Sequence, residues 1–120
     1  MARILIVDDS PADLKFLEGT LRAGQHDVLS LGDPAGVEDA VARERPDLLL
    51  LDVVMPGRNG YEVLRALRRG PQGAALKVLL VSSKGQDTDV KWGLRQGADG
   101  YVVKPYTADQ ILSAVARHLA

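Results

Sequence analysis

Residues 4–10 read ILIVDDS, four aliphatic side chains running directly into two adjacent carboxylates, Asp8 and Asp9. Four such residues without polar alternation suit a strand buried on both faces, the pattern of a parallel sheet covered by helices. The two charges then fall where the strand leaves the sheet. Four further apolar runs follow, at 28–31, 48–51, 78–81 and 101–103.

The segments between these runs carry helical spacing. Ser10 caps the first helix and Pro11 fits its opening turn, with Leu14, Leu17 and Leu21 on one stripe and Gly24 as the stop. Asp33 and Pro34 open a second helix bearing Val37 and Val41, and Pro46 closes the connection. Asn59 and Gly60 open a third, whose Val63, Leu64 and Leu67 face inward and Arg65, Arg68 and Arg69 outward, with Gly70 and Pro71 as punctuation. The fourth helix runs from near Gln86 to near Gly97, with Val90, Leu94 and Gly97 on its inward stripe. The fifth starts after Thr107 or Asp109 and places Ile111, Leu112, Val115 and Leu119 on its apolar face. Five repetitions of strand then helix predict one α/β domain over residues 1–120, a parallel sheet with helices on both sides.

Composition narrows the function classes. At 120 residues, 46% hydrophobic and 26% charged, the chain is long enough for one core and too short for a second domain. Fifteen Lys and Arg against sixteen Asp and Glu give a net charge of -1, so no global field favours nucleic acid or an anionic membrane. The absence of cysteine excludes disulfides and thiolate metal sites. The start of the chain lacks the apolar stretch of a signal peptide, and no run approaches the roughly 20 residues that span a bilayer. A cytoplasmic protein that does not insert into membranes is expected.

In open parallel sheets, ligands bind beyond the carboxyl ends of the strands. Asp8 and Asp9 follow the first strand, Asp52 closes the third, Ser82 follows the fourth and Lys104 the fifth. A lone aspartate at a strand end is more often a helix cap or a solvated loop residue. The five together, all at one edge, point to a site. If the first and third strands are neighbours, three carboxylates converge and repel one another, a conflict that a divalent cation resolves. Hard oxygen ligands suit Mg²⁺ better than zinc, and neither His26 nor His118 is placed to contribute. Lys104 and the Ser82 hydroxyl form an anion site suited to phosphoryl oxygens, and Asp52 is the candidate nucleophile at phosphorus.

These residues resemble the receiver domain of two-component response regulators. ILIVDDS, LLLLDVVMPGRNGYEVL, VLLVSS and GADGYVVKP carry the likeness in order along the whole chain. The resemblance implies a doubly wound, flavodoxin-like sheet in the order 2-1-3-4-5. Asp52 would accept a phosphoryl group from the phosphohistidine of a sensor kinase. Mg²⁺ would be held by Asp9, Asp52 and the main-chain carbonyl of Val54, with Asp8 acting mainly through water. Lys104 and Ser82 would contact the phosphoryl oxygens, and the Lys104-Pro105 bond would be cis. Met55, Pro56 and Gly60 match the family's loop after the phosphorylation site, where Gly57 supplies backbone freedom. The stretch SSKGQDTDVKWGLRQGADGYVVKP is similar to single-domain, chemotaxis-like regulators of type IV pilus twitching motility, the PilH type, which implies a CheA-like kinase as phosphodonor.

The family's switch pairs the Ser82 hydroxyl with an aromatic ring at the position of Tyr101, which moves when the hydroxyl is drawn to the phosphoryl group. The plainer reading of Tyr101 is an edge-strand aromatic. Trp92 falls roughly 200° around the fourth helix from Val90 and points away from the core, so Trp92, Arg95, Tyr101 and Tyr106 would share a partner face formed by the fourth helix, fifth strand and fifth helix. Trp92 packed laterally on a loop is the alternative. Val54 has no polar group to orient a hydrolytic water and Lys84 brings a cation, so slow self-dephosphorylation is expected.

The function expected is a phospho-acceptor switch, or a phosphate sink, that catalyses only its own phosphorylation and dephosphorylation and works as a monomer or a phosphorylation-dependent dimer. No output domain follows the fifth helix in this sequence, so it would act on another protein, unless it is a receiver excised from a longer regulator. A Mg²⁺-dependent phosphohydrolase with an aspartyl nucleophile is the enzyme alternative, but such an enzyme wants a second acid where Val54 stands. A flavin carrier fits less well, because DDSPAD lacks a phosphate-cradling run.

Overall fold

Leu48, Leu49, Leu50 and Leu51 are all essentially inaccessible to solvent, so the third apolar run is covered on both of its faces. A computed structural model describes residues 2–120. The elements follow as β1 (Arg3–Val7), α1 (Pro11–Ala23), β2 (Asp27–Leu31), a 3₁₀ turn (Pro34–Gly36), α2 (Val37–Glu44), β3 (Leu48–Asp52), α3 (Gly60–Arg69), β4 (Lys77–Ser82), α4 (Asp87–Arg95), β5 (Gly100–Val103) and α5 (Ala108–Leu119).

The five strands are parallel, in the order β2-β1-β3-β4-β5. Leu5 pairs with Leu29 on one side and Leu49 on the other. The chain leaves β1 for one edge and returns to β3 on the opposite side, so the strand order reverses between them and a crevice opens at their carboxyl ends. Alternate side chains feed two cores. Leu5, Val7, Leu49, Leu51, Val78 and Leu80 pack with α2 and α3. Ile4, Ile6, Leu48, Leu50, Leu79 and Val81 pack with α1 and α5.

Local chemistry sets the helix starts. Ser10 Oγ accepts from the Asp13 N–H at 3.3 Å with Pro11 behind it, and Asn59 with Glu62 and Thr107 with Gln110 form reciprocal capping boxes. Asp33 caps the 3₁₀ turn rather than α2 itself, which begins only at Val37.

Two expected helix faces are corrected. Leu94 is 44% exposed, so it does not lie on the inward stripe of α4. Gly93 takes that place: a Cβ there would lie 2.7 Å from Leu80 Cδ1 and 3.0 Å from the Tyr101 ring, so the helix packs through its one residue without a side chain and turns Leu94 outward. α4 also ends at Arg95, short of Gly97. Arg68 is not a solvated outward charge. Its guanidinium donates to the carbonyls of Gly97, Gly73 and Leu76 and pairs with Asp99 at 3.1 Å, fastening α3 to the approaches of β4 and β5.

Candidate functional site

Each of the five residues read from the strand ends reaches the same edge because its strand stops there. Asp8 lies just past β1, and its carboxylate is nearly buried. One oxygen accepts from the Ser10 N–H at 2.9 Å and the other from Lys104 Nζ at 3.0 Å. Asp9, next in the chain, is exposed. Asp52 closes β3 and is 7% exposed, with Oδ1 accepting from the Val53 N–H at 2.8 Å. A carboxylate oxygen from each of Asp8, Asp9 and Asp52 lies within 4.8 Å of the others, the one such group among the described residues.

That crowding changes the acidity of Asp52. Burial and then the neighbouring charge of Asp8 push its pKa up to about 6, against the pull of Lys104 and the Val53 N–H. An all-oxygen donor set with one carboxylate open to water and no histidine or thiolate fits a hard divalent cation. The ammonium of Lys104 closes the other side, 3.8 Å from Asp52 Oδ2. Against the desolvation that burial imposes, the carboxylates of Asp13 and Asp8 hold Lys104 above its ordinary pKa. The Lys104-Pro105 peptide bond is cis. Ser82 is fully buried at the end of β4.

The family profile for the response regulator receiver domain matches residues 4–116. The chain belongs to that family. Protein PilH of Pseudomonas aeruginosa is 43% identical over 121 residues, covering 100% of this chain and 99% of that one. The DNA-binding response regulator MtrA of Mycolicibacterium smegmatis is 38% identical over 98% of this chain, which spans 50% of MtrA. Among solved structures, chemotaxis protein CheY4 of Vibrio cholerae aligns with a TM-score of 0.91 at 27% identity over 98% of both chains. The BeF3-activated N-terminal receiver domain of RstA from Klebsiella pneumoniae aligns with a TM-score of 0.89 at 31% identity, covering 98% of this chain and 97% of that one. Receiver domains are signalling modules that take their input from a histidine kinase or another phosphodonor.

In this receiver domain the Ser82 hydroxyl and the Tyr101 ring are joined through one residue. Ser82 Oγ accepts from the Lys84 N–H at 3.2 Å, and the Tyr101 hydroxyl donates to the Lys84 carbonyl at 2.6 Å. Lys84 therefore offers its backbone as a bridge, whereas the sequence suggested only its charge. Burial, followed by the neighbouring Tyr61 hydroxyl, pushes the Tyr101 phenol well above its ordinary pKa. Trp92 is 46% exposed on α4, and Arg95 is exposed beside it. The Tyr106 ring packs on Phe16 of α1 with centroids 5.8 Å apart. It also lines the groove between β5 and α5 that Tyr101 enters. The Val54 side chain, two residues after Asp52, points to solvent at 54% exposure.

Sequence reasoning missed two charged groups here. Arg58 makes a bidentate pair with Glu38 of α2, at 2.8 and 2.7 Å, which ties down the loop after Asp52. Asp13 binds Lys104 at 2.7 Å, closer than any other carboxylate. Its position in the first turn of α1, three residues after a capping serine, was the available signal, and it read equally well as a favourable helix-dipole charge.

Proposed function

We propose that this receiver domain is a phospho-acceptor switch, in which Asp52 takes a phosphoryl group from a sensor kinase phosphohistidine with Mg²⁺ held by Asp8, Asp9, Asp52 and the Val54 carbonyl. The observation that carries the reading is the placement of Lys104 Nζ 3.8 Å from Asp52 Oδ2, across a crevice where three carboxylates stand within 4.8 Å. A metal ion there supplies charge neutralisation at the phosphoryl oxygens. The chain's own residues do the rest. A carboxylate oxygen of Asp52 bonds to phosphorus while the bond from phosphorus to the donor nitrogen breaks, its electron pair staying on the histidine. Burial and the strand end fix that oxygen's approach. Lys104 and Ser82 receive the transferred oxygens.

The signal leaves through the Ser82, Lys84 and Tyr101 chain of hydrogen bonds toward the face bearing Trp92 and Arg95. Drawing the Ser82 hydroxyl to a phosphoryl oxygen releases the Lys84 N–H and loosens the segment whose carbonyl holds Tyr101. Identity to PilH over the full chain supports a place in chemotaxis-like control of type IV pilus motility, in the cytoplasm, with a CheA-like kinase as donor. The whole of residues 1–120 acts as the receiver unit. The apolar Val54 speaks against a phosphohydrolase, which needs an acid near the leaving group. Incubation with acetyl phosphate and Mg²⁺ followed by intact mass measurement tests the reading. One added phosphoryl group, absent from Asp52→Ala, is expected; turnover of phosphate esters without labelling overturns it.

A further inference from the structure

The ammonium that faces Asp52 is not free. Lys104 Nζ lies 2.7 Å from Asp13 Oδ2, 3.0 Å from Asp8 Oδ2 and 3.8 Å from Asp52 Oδ2. Two of its three protons are committed, and the nearest acceptor belongs to a residue outside the strand-end cluster. The helix cap braces both partners: the Ser10 N–H donates to Asp8 Oδ1 and Ser10 Oγ accepts from the Asp13 N–H. The partners differ in what they can do next. The Asp8 side chain is 2% exposed and stays with the lysine, whereas that of Asp13 is 42% exposed and can turn into water. Asp13 also lines an open pocket of about 400 Å³ beside the crevice, with Phe16, Ser83, Lys104, Pro105 and Tyr106.

We propose that Asp13 is a positioning residue that holds the Lys104 ammonium away from Asp52 and thereby slows phosphoryl uptake; the inference rests on the phospho-acceptor reading of the site. Phosphoryl oxygens arriving at Asp52 compete with the Asp13 carboxylate for one ammonium. Asp13 loses that competition only by giving up a charge-assisted hydrogen bond. Its charge further repels an anionic donor on the approach to the crevice. Neutralising Asp13 leaves Lys104 tethered to Asp8 alone, with a proton available for the incoming group.

The test measures the initial rate at which acetyl phosphate with Mg²⁺ labels Asp52, read by intact mass. In that step an Asp52 oxygen bonds to phosphorus, the bond from phosphorus to the acetate oxygen breaks, and acetate leaves with the electron pair while Lys104 keeps its protons. Asp13→Asn is expected to label about fivefold faster, the factor commanded by a half-exposed ion pair. It should bind beryllofluoride more tightly by a similar factor. Asp13→Glu, which keeps the charge, should stay with the wild type, and in a Lys104→Ala background Asp13→Asn should keep only the small part of the gain that comes from relieved repulsion of the anionic donor. A folding defect alone would slow labelling and would not tighten beryllofluoride binding. Equal or slower labelling in Asp13→Asn, an Asp13→Glu protein that matches Asp13→Asn, or a full gain without Lys104 overturns the inference and leaves the phospho-acceptor reading standing. A wild-type protein that takes up no label on Asp52 removes that reading, and the inference with it.

Discussion

Replacing Asp52 by Asn in metal-free protein should stabilise the fold, and by an amount that depends on pH. Burial and Asp8 raise the Asp52 carboxyl from 3.8 to about 6 in the folded chain. A group whose acidity is weakened on folding favours the folded state when protonated and opposes it when ionised. Above both pKa values the cost is about 1.4 kcal/mol per unit, hence about 3 kcal/mol at about pH 7.5, shrinking to about 1 kcal/mol by about pH 4.5. Asn carries no such charge. Urea unfolding followed by circular dichroism, with a chelator present, should show the variant ahead of the wild type near neutrality. The gap should close as the pH falls through the folded pKa toward the unfolded one. Mg²⁺ should close it from the other side, by stabilising the wild type through binding to the folded state and leaving Asp52→Asn nearly unmoved. A difference constant from neutral to acid pH would refute the reasoning, because it would place the gain in packing rather than in relief of a buried charge.

Other substitutions test separate parts of the molecule. Arg68→Ala strips partners from three main-chain carbonyls and from Asp99 and should cost about 2–3 kcal/mol in urea unfolding, far above a solvated surface arginine. Val54→Asn places an amide two residues after Asp52, where a hydrolytic water can be oriented, and phosphate loss followed by mass should accelerate several-fold. Tyr101→Phe removes the donor to the Lys84 carbonyl, so partner binding should weaken while labelling of Asp52 proceeds at the wild-type rate. Trp92→Ala should lower affinity for the downstream protein at unchanged stability, since the ring is 46% exposed; an altered unfolding midpoint would place it in the core instead.

The architecture was legible because a strand buried on both faces leaves a short aliphatic run that cannot be amphipathic. Leu48 to Leu51 at near-zero exposure is that rule carried to its limit. The face of α4 was not legible. Periodicity assigned Leu94 inward on apolarity, but Leu80 and the Tyr101 ring already occupy the space a side chain would need beside Gly93, so close approach decided the face instead. Arg68 was misread for the complementary reason. Its partners are backbone carbonyls from loops, and a carbonyl acceptor has no signature in the side-chain sequence.

The site divides along the same line. Asp8, Asp9, Asp52, Ser82 and Lys104 could be placed at one edge from the sequence because strand ends in a parallel sheet share that edge, so position along the chain converts directly into position in space. Asp13 lies on the first turn of a helix, and whether it faces solvent or the crevice depends on the azimuth that its cap imposes. The difference is chemical as well as geometric. With Asp13 counted, four carboxylates face one ammonium, and the excess of three negative charges is larger than the strand ends alone suggest. On the phospho-acceptor reading, such a pocket repels the anionic group it would receive. Of the three carboxylates paired with the lysine, it sits closest to Asp13, whose side chain is more exposed than those of Asp8 and Asp52. On that reading, and with Asp13 restraining the lysine as proposed, the crevice would disfavour stray phosphate and favour a donor that brings its own compensating contacts, a selectivity that the strand-end residues could not supply alone.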